Sequence, residues 1–282
     1  MSTLVVSVGG IGAWSKDLRG WQAMRDALRG IPFAAPDDQV GRPAALLLPA
    51  AERRRAPDGV AVALEAAREA LVNFDGDPAS LASVFASAHG ELAIVDYLCD
   101  TLAHDPLALS PTRFHHSVHN AAAGYWTIAT TSRGPSTSIA AGDASFALGL
   151  LEAVTQVVAE TRPVLLVVFD TPTVGLLARA APNAALFGAA LLLKPLDEQQ
   201  AGPALSLTLE ARTASRPMPA DPRWHDLAQS SPAAHAVALL DLLARGASAR
   251  VDYPVGVAST VSVNVLCEAD AEFGTVSTRP IE

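Results

Sequence analysis

Three histidines lie close together in the chain, and clustered imidazoles are candidates for metal binding or proton transfer. His115 and His119 are four residues apart, the spacing at which two side chains on one helix face can share a metal ion. The zinc-protease arrangement would add a glutamate, which does not follow here, and Pro111 disfavours a helix directly before the cluster. The sequence therefore favours a loop with hydrogen-bonded histidines over a metal site.

Asp143 lies at a second position that could carry chemistry. Ser136–Ala141 is β-like, Gly142 begins a turn, and Ala144–Glu160 is a long helix rich in Ala and Leu. The free N–H groups and the positive dipole end at such a turn stabilise an anion. Two interpretations remain open: Asp143 is a functional group held at the turn, or it is the N-cap of the helix.

Two common classes of site do not fit the sequence. A serine hydrolase of the α/β type would need a Gly-x-Ser-x-Gly turn, and none occurs. Thr3–Val8 predicts a strand that runs into Gly9-Gly10-Ile11-Gly12 and then a helix capped by Asp17. A dinucleotide site would need a glycine in place of Ser15 and an acidic residue closing a second strand, where only a proline-rich loop with Asp37 and Asp38 follows. The glycines therefore predict a tight βα turn.

The hydrophobic pattern predicts alternating strands and helices, the signature of layered α/β architecture. Pro163–Phe169 is an uninterrupted apolar strand of the kind found in sheets covered on both faces. The other predicted strands are Ser83–Ala88, Leu186–Leu193, Leu205–Glu210 and Thr260–Leu266, and the other predicted helices include Val60–Leu71, Leu92–Leu102, Ala121–Ile128 and Ala233–Ala244.

Composition excludes several functions. The chain has 282 residues, a formal charge of −9 and 17% charged residues, so it predicts a large buried core and excludes disorder as the main state. The acidic balance argues against nucleic acid and anionic membranes as partners. Apolar runs such as Ala184–Leu193 are shorter than the ~18 residues of a membrane span. Cys99 and Cys267 predict reduced core cysteines, and the protein is expected to be cytoplasmic.

The stretch from Gly134 to Phe146 resembles the nucleophile elbow of β-ketoacyl synthases of the thiolase fold. That pattern is Gly-Pro-Ser, a strand, and a small-residue turn that carries the reactive cysteine at the start of a buried helix. Counted from Gly134, the cysteine position is occupied by Asp143. Further similarities in order are Val5–Gly12, Glu52–Arg55, Ala88–Glu91, Leu109–Phe114 and Val118–Trp126. The combination most resembles the short, chain-length-factor-like subunits of aryl polyene and xanthomonadin-type pigment pathways.

The resemblance implies a thiolase-like α/β fold in a single domain spanning residues 1–282. Residues 1–195 form an essentially complete N-terminal half, residues 196–231 a hairpin and linker, and residues 232–282 a reduced C-terminal half. The family's two catalytic histidines belong to motifs that do not occur after residue 200, where His225 and His235 are the remaining histidines. With the cysteine also absent, all three catalytic groups are expected to be missing from their places.

The resemblance therefore implies a non-catalytic subunit that pairs with a catalytic ketosynthase and works on acyl carrier protein, without metal or cofactor. It also implies pairing of two protomers along Ser136–Ala141, and a homodimer is possible when the protein is alone. The candidate channel or interface residues share a place near the elbow or in the segment before it: His119, Asn120, Tyr125, Trp126, Ser136, Ser138, Ala140 and Phe146.

Two other functions stay open. An acyltransferase or decarboxylase would act through Asp143 or the cluster from His115 to His119. A stand-alone acyl-binding protein would need no ketosynthase.

Overall fold

The computed structural model describes residues 3–36, 41–180, 183–197 and 202–267. Parts of three sequence predictions lie outside these ranges. They are Asp37 and Asp38 of the proline-rich loop, residues 198–201 of the predicted hairpin, and residues 268–282 of the reduced C-terminal half.

Strands and helices alternate along the described chain, as the hydrophobic pattern predicts. The strands are β1 (Leu4–Ser15), β2 (Ala82–Ala86), β3 (Ser136–Ile139), β4 (Val164–Asp170), β5 (Phe187–Pro195), β6 (Ala204–Glu210), β7 (Ala249–Gly256) and β8 (Ser259–Leu266). The helices are α1 (Trp21–Leu28), α2 (Ala50–Arg55), α3 (Asp58–Ala70), α4 (Leu92–His104), α5 (Pro111–His116), α6 (Ala121–Thr130), α7 (Ser145–Glu160), α8 (His225–Gln229) and α9 (Val237–Arg245). Strand β7 has no counterpart among the sequence predictions.

All eight strands form one sheet in the order β3-β2-β4-β5-β1-β6-β8-β7. The α/β class is confirmed, and the five strands predicted within residues 1–195 lie together in this sheet. Apolar strands that are covered on both faces favour a mostly parallel sheet, but that expectation is wrong here. Only β2 pairs in parallel, with β3 and β4, whereas the other pairings between the described strands are antiparallel. The described residues between β4 and β5 include no crossover α-helix, and β5 runs antiparallel to β4.

The predicted glycine turn at residues 9–12 is wrong, because these glycines lie inside β1. The register shifts between Val8 and Gly10, and the strand then continues to Ser15. A Cβ atom on Gly10 would lie 2.0 Å from the carbonyl oxygen of Ala70, and one on Gly12 would lie 1.9 Å from that of Ala66. The glycines are therefore needed because the backbone of α3 lies directly on β1.

Helix α1 begins at Trp21, so Asp17 does not cap it. Its first turn is held instead by Glu69 of α3, whose carboxylate accepts hydrogen bonds from the backbone N–H groups of Trp21 (2.8 Å) and Ala13 (3.0 Å). Burial is the main cause that raises the pKa of Glu69. One carboxylate thus joins the end of α3, strand β1 and the start of α1.

Helices cover the two faces of the sheet unequally. Helices α3 and α6 pack with strands β2, β4 and β5 on one face, and α1, α7 and α9 pack on the other. The small apolar side chains of α7 predict a helix that passes between two sheets. The described strands instead make a single sheet, but α7 contacts both β2 and β7, so it packs between two parts of that sheet. Helix α7 lies close to this sheet, and a Cβ atom on its Gly149 would be 2.8 Å from the Cβ atom of Ala86.

The sheet contains two similar three-strand units. In the first, β5 lies antiparallel between β4 and β1, and in the second, β8 lies antiparallel between β7 and β6. Because β1 and β6 are themselves antiparallel, the strands of the second unit run opposite to their counterparts in the first. Between β6 and β7, residues 211–248 contain helices and loops but no strand, so the described part of the second unit has no counterparts of β2 and β3.

Only one face of the strands in the second unit is apolar. Val261, Val263 and Val265 face the core with α9. The opposite face is polar, and Thr260 and Ser262 are buried on it.

Charged side chains cover this polar face. Arg212 and Arg250 lie over the strands, and each pairs with both Glu210 and Asp252. The described part of the second unit therefore has a charged surface where the first unit carries α3.

The close approach of α3 to β1 can be tested at Gly12. The change Gly12→Ala should lower the free energy of unfolding by about 3 kcal/mol, because the new methyl group would collide with backbone that cannot rotate away. Chemical denaturation of the purified protein measures this.

Gly124→Ala is the matched control, because a Cβ atom there has open space. This change on α6 should raise the free energy of unfolding by about 0.5–1 kcal/mol. Equal effects of the two substitutions would contradict close packing at Gly12.

Candidate functional site

The predicted strand, turn and helix around Asp143 are present. Strand β3 ends at Ile139, residues 142–144 form a 3₁₀ turn, and α7 begins at Ser145. Gly142 adopts φ = +53°, which a side chain would disfavour. The Ser145 hydroxyl accepts a hydrogen bond from the Ala141 N–H (3.0 Å) and donates one to the Gly142 carbonyl (2.7 Å). This serine, and not Asp143, closes the turn, so the N-cap interpretation of Asp143 is wrong.

Asp143 contacts two groups from the second half of the chain. Its carboxylate, 74% exposed, forms an ion pair with Arg216 at 2.6 Å. Its backbone carbonyl accepts a hydrogen bond from Nδ1 of His235 at 3.0 Å. Because a carbonyl oxygen can only accept, Nδ1 of His235 carries the proton. Burial, followed by the charge of Arg216, lowers the pKa of His235, so the imidazole is neutral at pH 7.

These groups line a cavity of about 300 Å³ at the turn. Its polar groups come from Asp143, Arg216 and His235, and its apolar wall includes Ala147 and Val255. The cavity is large enough for a small ligand or part of a longer one. It combines a guanidinium, a carboxylate and a neutral imidazole beside the start of a helix.

The position of His235 was missed by the sequence analysis, which expected no histidine at this turn. Residues 233–236 form a 3₁₀ turn that leads into α9, and all four residues are buried. The only sequence signal was a single imidazole in an otherwise apolar run. Which element that run would face could not be known without the tertiary structure.

The histidine cluster is a structural feature. Nε2 of His116 lies 2.8 Å from the Tyr125 hydroxyl, and Nε2 of His119 lies 2.9 Å from the Ser87 carbonyl. The prediction of hydrogen-bonded histidines is confirmed for these two. The expectation that Pro111 prevents a helix is wrong, because α5 begins at Pro111, where a missing N–H is tolerated. Among the described residues, no three His, Cys, Asp or Glu side chains are placed to share a metal ion.

The sequence analysis also did not identify two buried carboxylates, Asp170 at the end of β4 and Glu91 in the loop after β2. Asp170 accepts hydrogen bonds from the Ser87 hydroxyl (2.9 Å), the Ala88 N–H (3.0 Å) and the Ala233 N–H (2.7 Å). It thereby ties both strands to the turn that carries His235. Burial raises its pKa.

Glu91 directly precedes α4, and its side chain reaches the N-terminus of α3. There its carboxylate accepts a hydrogen bond from the Val60 N–H at 3.3 Å. Burial, with a further contribution from the charge of Asp58, raises the pKa of Glu91 to about 7. This carboxyl group therefore titrates near neutral pH.

The structure places the candidate residues in four separate locations. Tyr125 and Trp126 are buried on the α3 face of the sheet, whereas Phe146 is buried on the opposite face, edge-on to Tyr253. Ser136, Ser138 and Ala140 are exposed along and just beyond β3. His119 is half-buried and Asn120 is exposed before α6. These residues do not line one common cavity.

Strand β3 is one of the two edge strands of the described sheet, with β7 at the other end, so one side of β3 has no neighbouring strand among the described residues. The carbonyls of Pro135 and Ile139 accept hydrogen bonds from N–H groups in and just after β2, so the backbone C=O groups of these two residues point toward β2. The direction of the backbone N–H and C=O groups alternates from residue to residue along a strand. The N–H and C=O groups of Ser136 and Ser138 therefore point outward, away from β2. Helices α6 and α7 both contact β3, and small or apolar residues on them are exposed or partly exposed: Gly124 and Ile128 of α6, and Leu148, Leu151 and Val158 of α7.

Two other expectations concern the surface. Cys99 is exposed and Cys267 is partly exposed, so the prediction of core cysteines is wrong. In the part of the chain that the structure describes, no helix has the length and apolar character of a membrane span.

The chain is similar to known proteins in sequence and fold. The family model of the β-ketoacyl synthase N-terminal domain matches residues 21–252. No curated protein matches the sequence. A ketosynthase (ApeO) in complex with its chain length factor (ApeC) from Xenorhabdus doucetiae is 24% identical, with a TM-score of 0.69 over 93% of this chain and 99% of that chain.

Two further solved structures share the fold. The ishigamide ketosynthase/chain length factor is 15% identical, with a TM-score of 0.70 over 93% of this chain and 99% of that chain. A β-ketoacyl synthase from Burkholderia phymatum is 10% identical, with a TM-score of 0.62 over 94% of this chain and 99% of that chain. These likenesses confirm the expected thiolase-like fold.

The buried carboxyl group of Glu91 makes stability depend on pH. The folded protein keeps this proton up to about pH 7, whereas a glutamate ordinarily loses it near 4.5. Its contribution to stability is therefore full below about pH 4.5 and is lost as the pH rises to 7. Glu91→Gln should make the protein more stable than wild type at pH 8, by on the order of 3 kcal/mol, with no gain at pH 4.5.

Urea denaturation at both pH values measures this difference. Asp75→Asn is the control, since it removes one exposed carboxylate. An equal gain for both variants at pH 8 would show that net charge, and not burial of Glu91, is responsible.

Proposed function

The chain belongs to the β-ketoacyl synthase family, and from that premise we propose that it is a non-catalytic, chain-length-factor-like subunit. It pairs with a catalytic ketosynthase along β3 and helps to shape the channel in which a polyene chain grows on acyl carrier protein. The observation that carries this proposal is the open edge of β3, which leads directly into the turn that contains Asp143. By the resemblance to the family, Asp143 stands where the nucleophile would be.

The chemistry of the turn supports a non-catalytic role. A condensing enzyme needs a thiolate to hold the acyl chain, and a carboxylate is a weaker acyl acceptor. The Asp143 carboxylate is also paired with Arg216, which lowers its nucleophilicity further. Among the described residues that line the cavity there is one histidine, His235, where enolate stabilisation in the family uses two.

The known complexes support the choice of partner. Two of the similar structures are described as a ketosynthase with its chain length factor. A third, 11% identical with a TM-score of 0.71 over 94% of this chain and 100% of that chain, is a type II ketosynthase assembly with an acyl-carrier protein. The edge of β3 offers unpaired peptide groups flanked by partly exposed helices, which suits the continuation of the sheet into a second subunit.

One observation favours the alternative of an acyltransferase or decarboxylase. His235 is a neutral imidazole whose Nδ1 is occupied by the Asp143 carbonyl, so Nε2 is the basic nitrogen beside the turn. An enzyme acting here would need the Asp143 carboxylate released from Arg216. The acylation experiment below separates this function from the proposed one.

The pairing edge can be tested at Ser138. Ser138→Pro removes an N–H group that points outward and leaves the β2–β3 hydrogen bonds in place, so folding should be unchanged. Its complex with the catalytic ketosynthase should be lost, as measured by native mass spectrometry. Ser138→Thr keeps the N–H group and should retain the complex. A Ser138→Pro variant that binds as tightly as wild type would exclude pairing along β3.

The second test concerns acylation. The protein alone should acquire no acyl group from acyl carrier protein thioesters, as shown by its intact mass, and polyene synthesis should require the cysteine-bearing partner. Asp143→Ala should leave the activity of the complex within about twofold of wild type, because the carboxylate takes no part in bond formation. A stable acyl adduct on wild type that is absent from Asp143→Ala would establish the enzyme instead.

A further inference from the structure

A group of short helices that follows the carboxyl ends of β2 and β4 forms a lobe with little core of its own. This α4–α5 lobe comprises α4, the 3₁₀ turns Pro106–Ala108 and Gly175–Arg179, and α5, which pack against one another. Only Leu92 of α4 is buried. The large apolar side chains of the lobe belong to neither core cluster.

The apolar residues of the lobe are instead on its surface. Leu107 is 98% exposed, Leu176 81%, Phe114 58% and Leu102 55%. Soluble proteins rarely leave so many large apolar side chains close together in water unless another molecule covers them. Isolated helices of this length are only marginally stable without tertiary packing. Helix α4 obtains little such packing from the rest of the chain, because only its Leu92 is buried.

The chain connects the lobe to the two strands at the open edge of the sheet. Helix α4 follows β2, the strand next to β3, and the chain returns from α5 through α6 to β3. His119, between α5 and α6, is fixed by its hydrogen bond to the Ser87 carbonyl just beyond β2. The lobe therefore extends from the carboxyl ends of the strands nearest to the edge.

The area needed for a stable complex points to the same partner for both surfaces. A standard interface takes about 800 Å² and about 20–30 residues from each subunit. The edge of β3 supplies four residues, and the flanking sides of α6 and α7 add about as many again. The lobe supplies the missing apolar area. A second copy is a poorer occupant, because each copy carries a formal charge of −9 and two copies repel each other.

We propose that the α4–α5 lobe is the second part of the interface with the catalytic ketosynthase, which covers Leu102, Leu107 and Phe114 when β3 pairs. This inference rests on the proposed function and extends it from the strand edge to a named helical surface. Most of the apolar contact between the two subunits is assigned to the lobe, and the strand edge sets their orientation.

The test measures binding of the purified ketosynthase to three single variants, Leu102→Asp, Leu107→Asp and Phe114→Asp. These side chains are exposed, so thermal melting should stay close to that of wild type, while the dissociation constant should rise at least about tenfold. Leu209→Asp is the matched control, because Leu209 is 48% exposed on β6 and lies outside the lobe. It should change the dissociation constant by less than about twofold.

Hydrogen exchange provides an independent measurement. Backbone amides of α4 should exchange at least about tenfold more slowly in the complex than in the free protein. If the lobe variants and Leu209→Asp bind alike while Ser138→Pro does not bind, the lobe lies outside the interface and the proposed function stands. If the variants only abolish self-association, the occupant is a second copy and the inference is overturned. If wild type forms no complex, the proposed function itself fails.

Discussion

The direct contact between the backbone of α3 and the sheet is the constraint on which the rest of the structure depends. The carbonyls of Ala66 and Ala70 lie where Cβ atoms of Gly12 and Gly10 would be, and a Cβ atom on Gly188 of β5 would lie 3.1 Å from the Val62 carbonyl. This approach fixes both ends of α3. Its C-terminal Glu69 holds the start of α1, and its N-terminus receives the carboxylate of Glu91. These two attachments connect α3 to the start of α1 and to the segment that precedes α4.

Buried polar contacts then connect the two halves of the chain at the turn before α7. Asp170 binds Ser87 of the first half and Ala233 of the second, and His235 follows closely and binds the Asp143 carbonyl. Such groups cannot exchange their partners for water, so losing one contact leaves a buried polar atom without a partner. The turn is therefore positioned by both halves, although the second half is small.

The described part of the second half agrees with the proposed role. It contributes the strands that extend the sheet beyond β1 and the helix that covers one face, and its other face is charged. What it provides to the turn is one imidazole and one guanidinium, and the guanidinium neutralises Asp143. The first half carries β3 and the α4–α5 lobe. In the proposed function the chain therefore contributes surface and shape to the complex, and its partner contributes the nucleophile.

The sequence by itself determined the α/β class, most helices and strands, the family and the turn at Asp143, because hydrophobic periodicity and short motifs are local properties. Only the tertiary structure decided that Gly10 and Gly12 lie inside a strand. The contact that requires glycine at these positions comes from a helix more than fifty residues away in sequence. The same holds for His235, Asp170 and Glu91, whose partners come from distant segments. Strand direction after β4 and the exposure of the lobe were likewise decided by packing, because an apolar residue has the same local pattern whether or not the fold covers it.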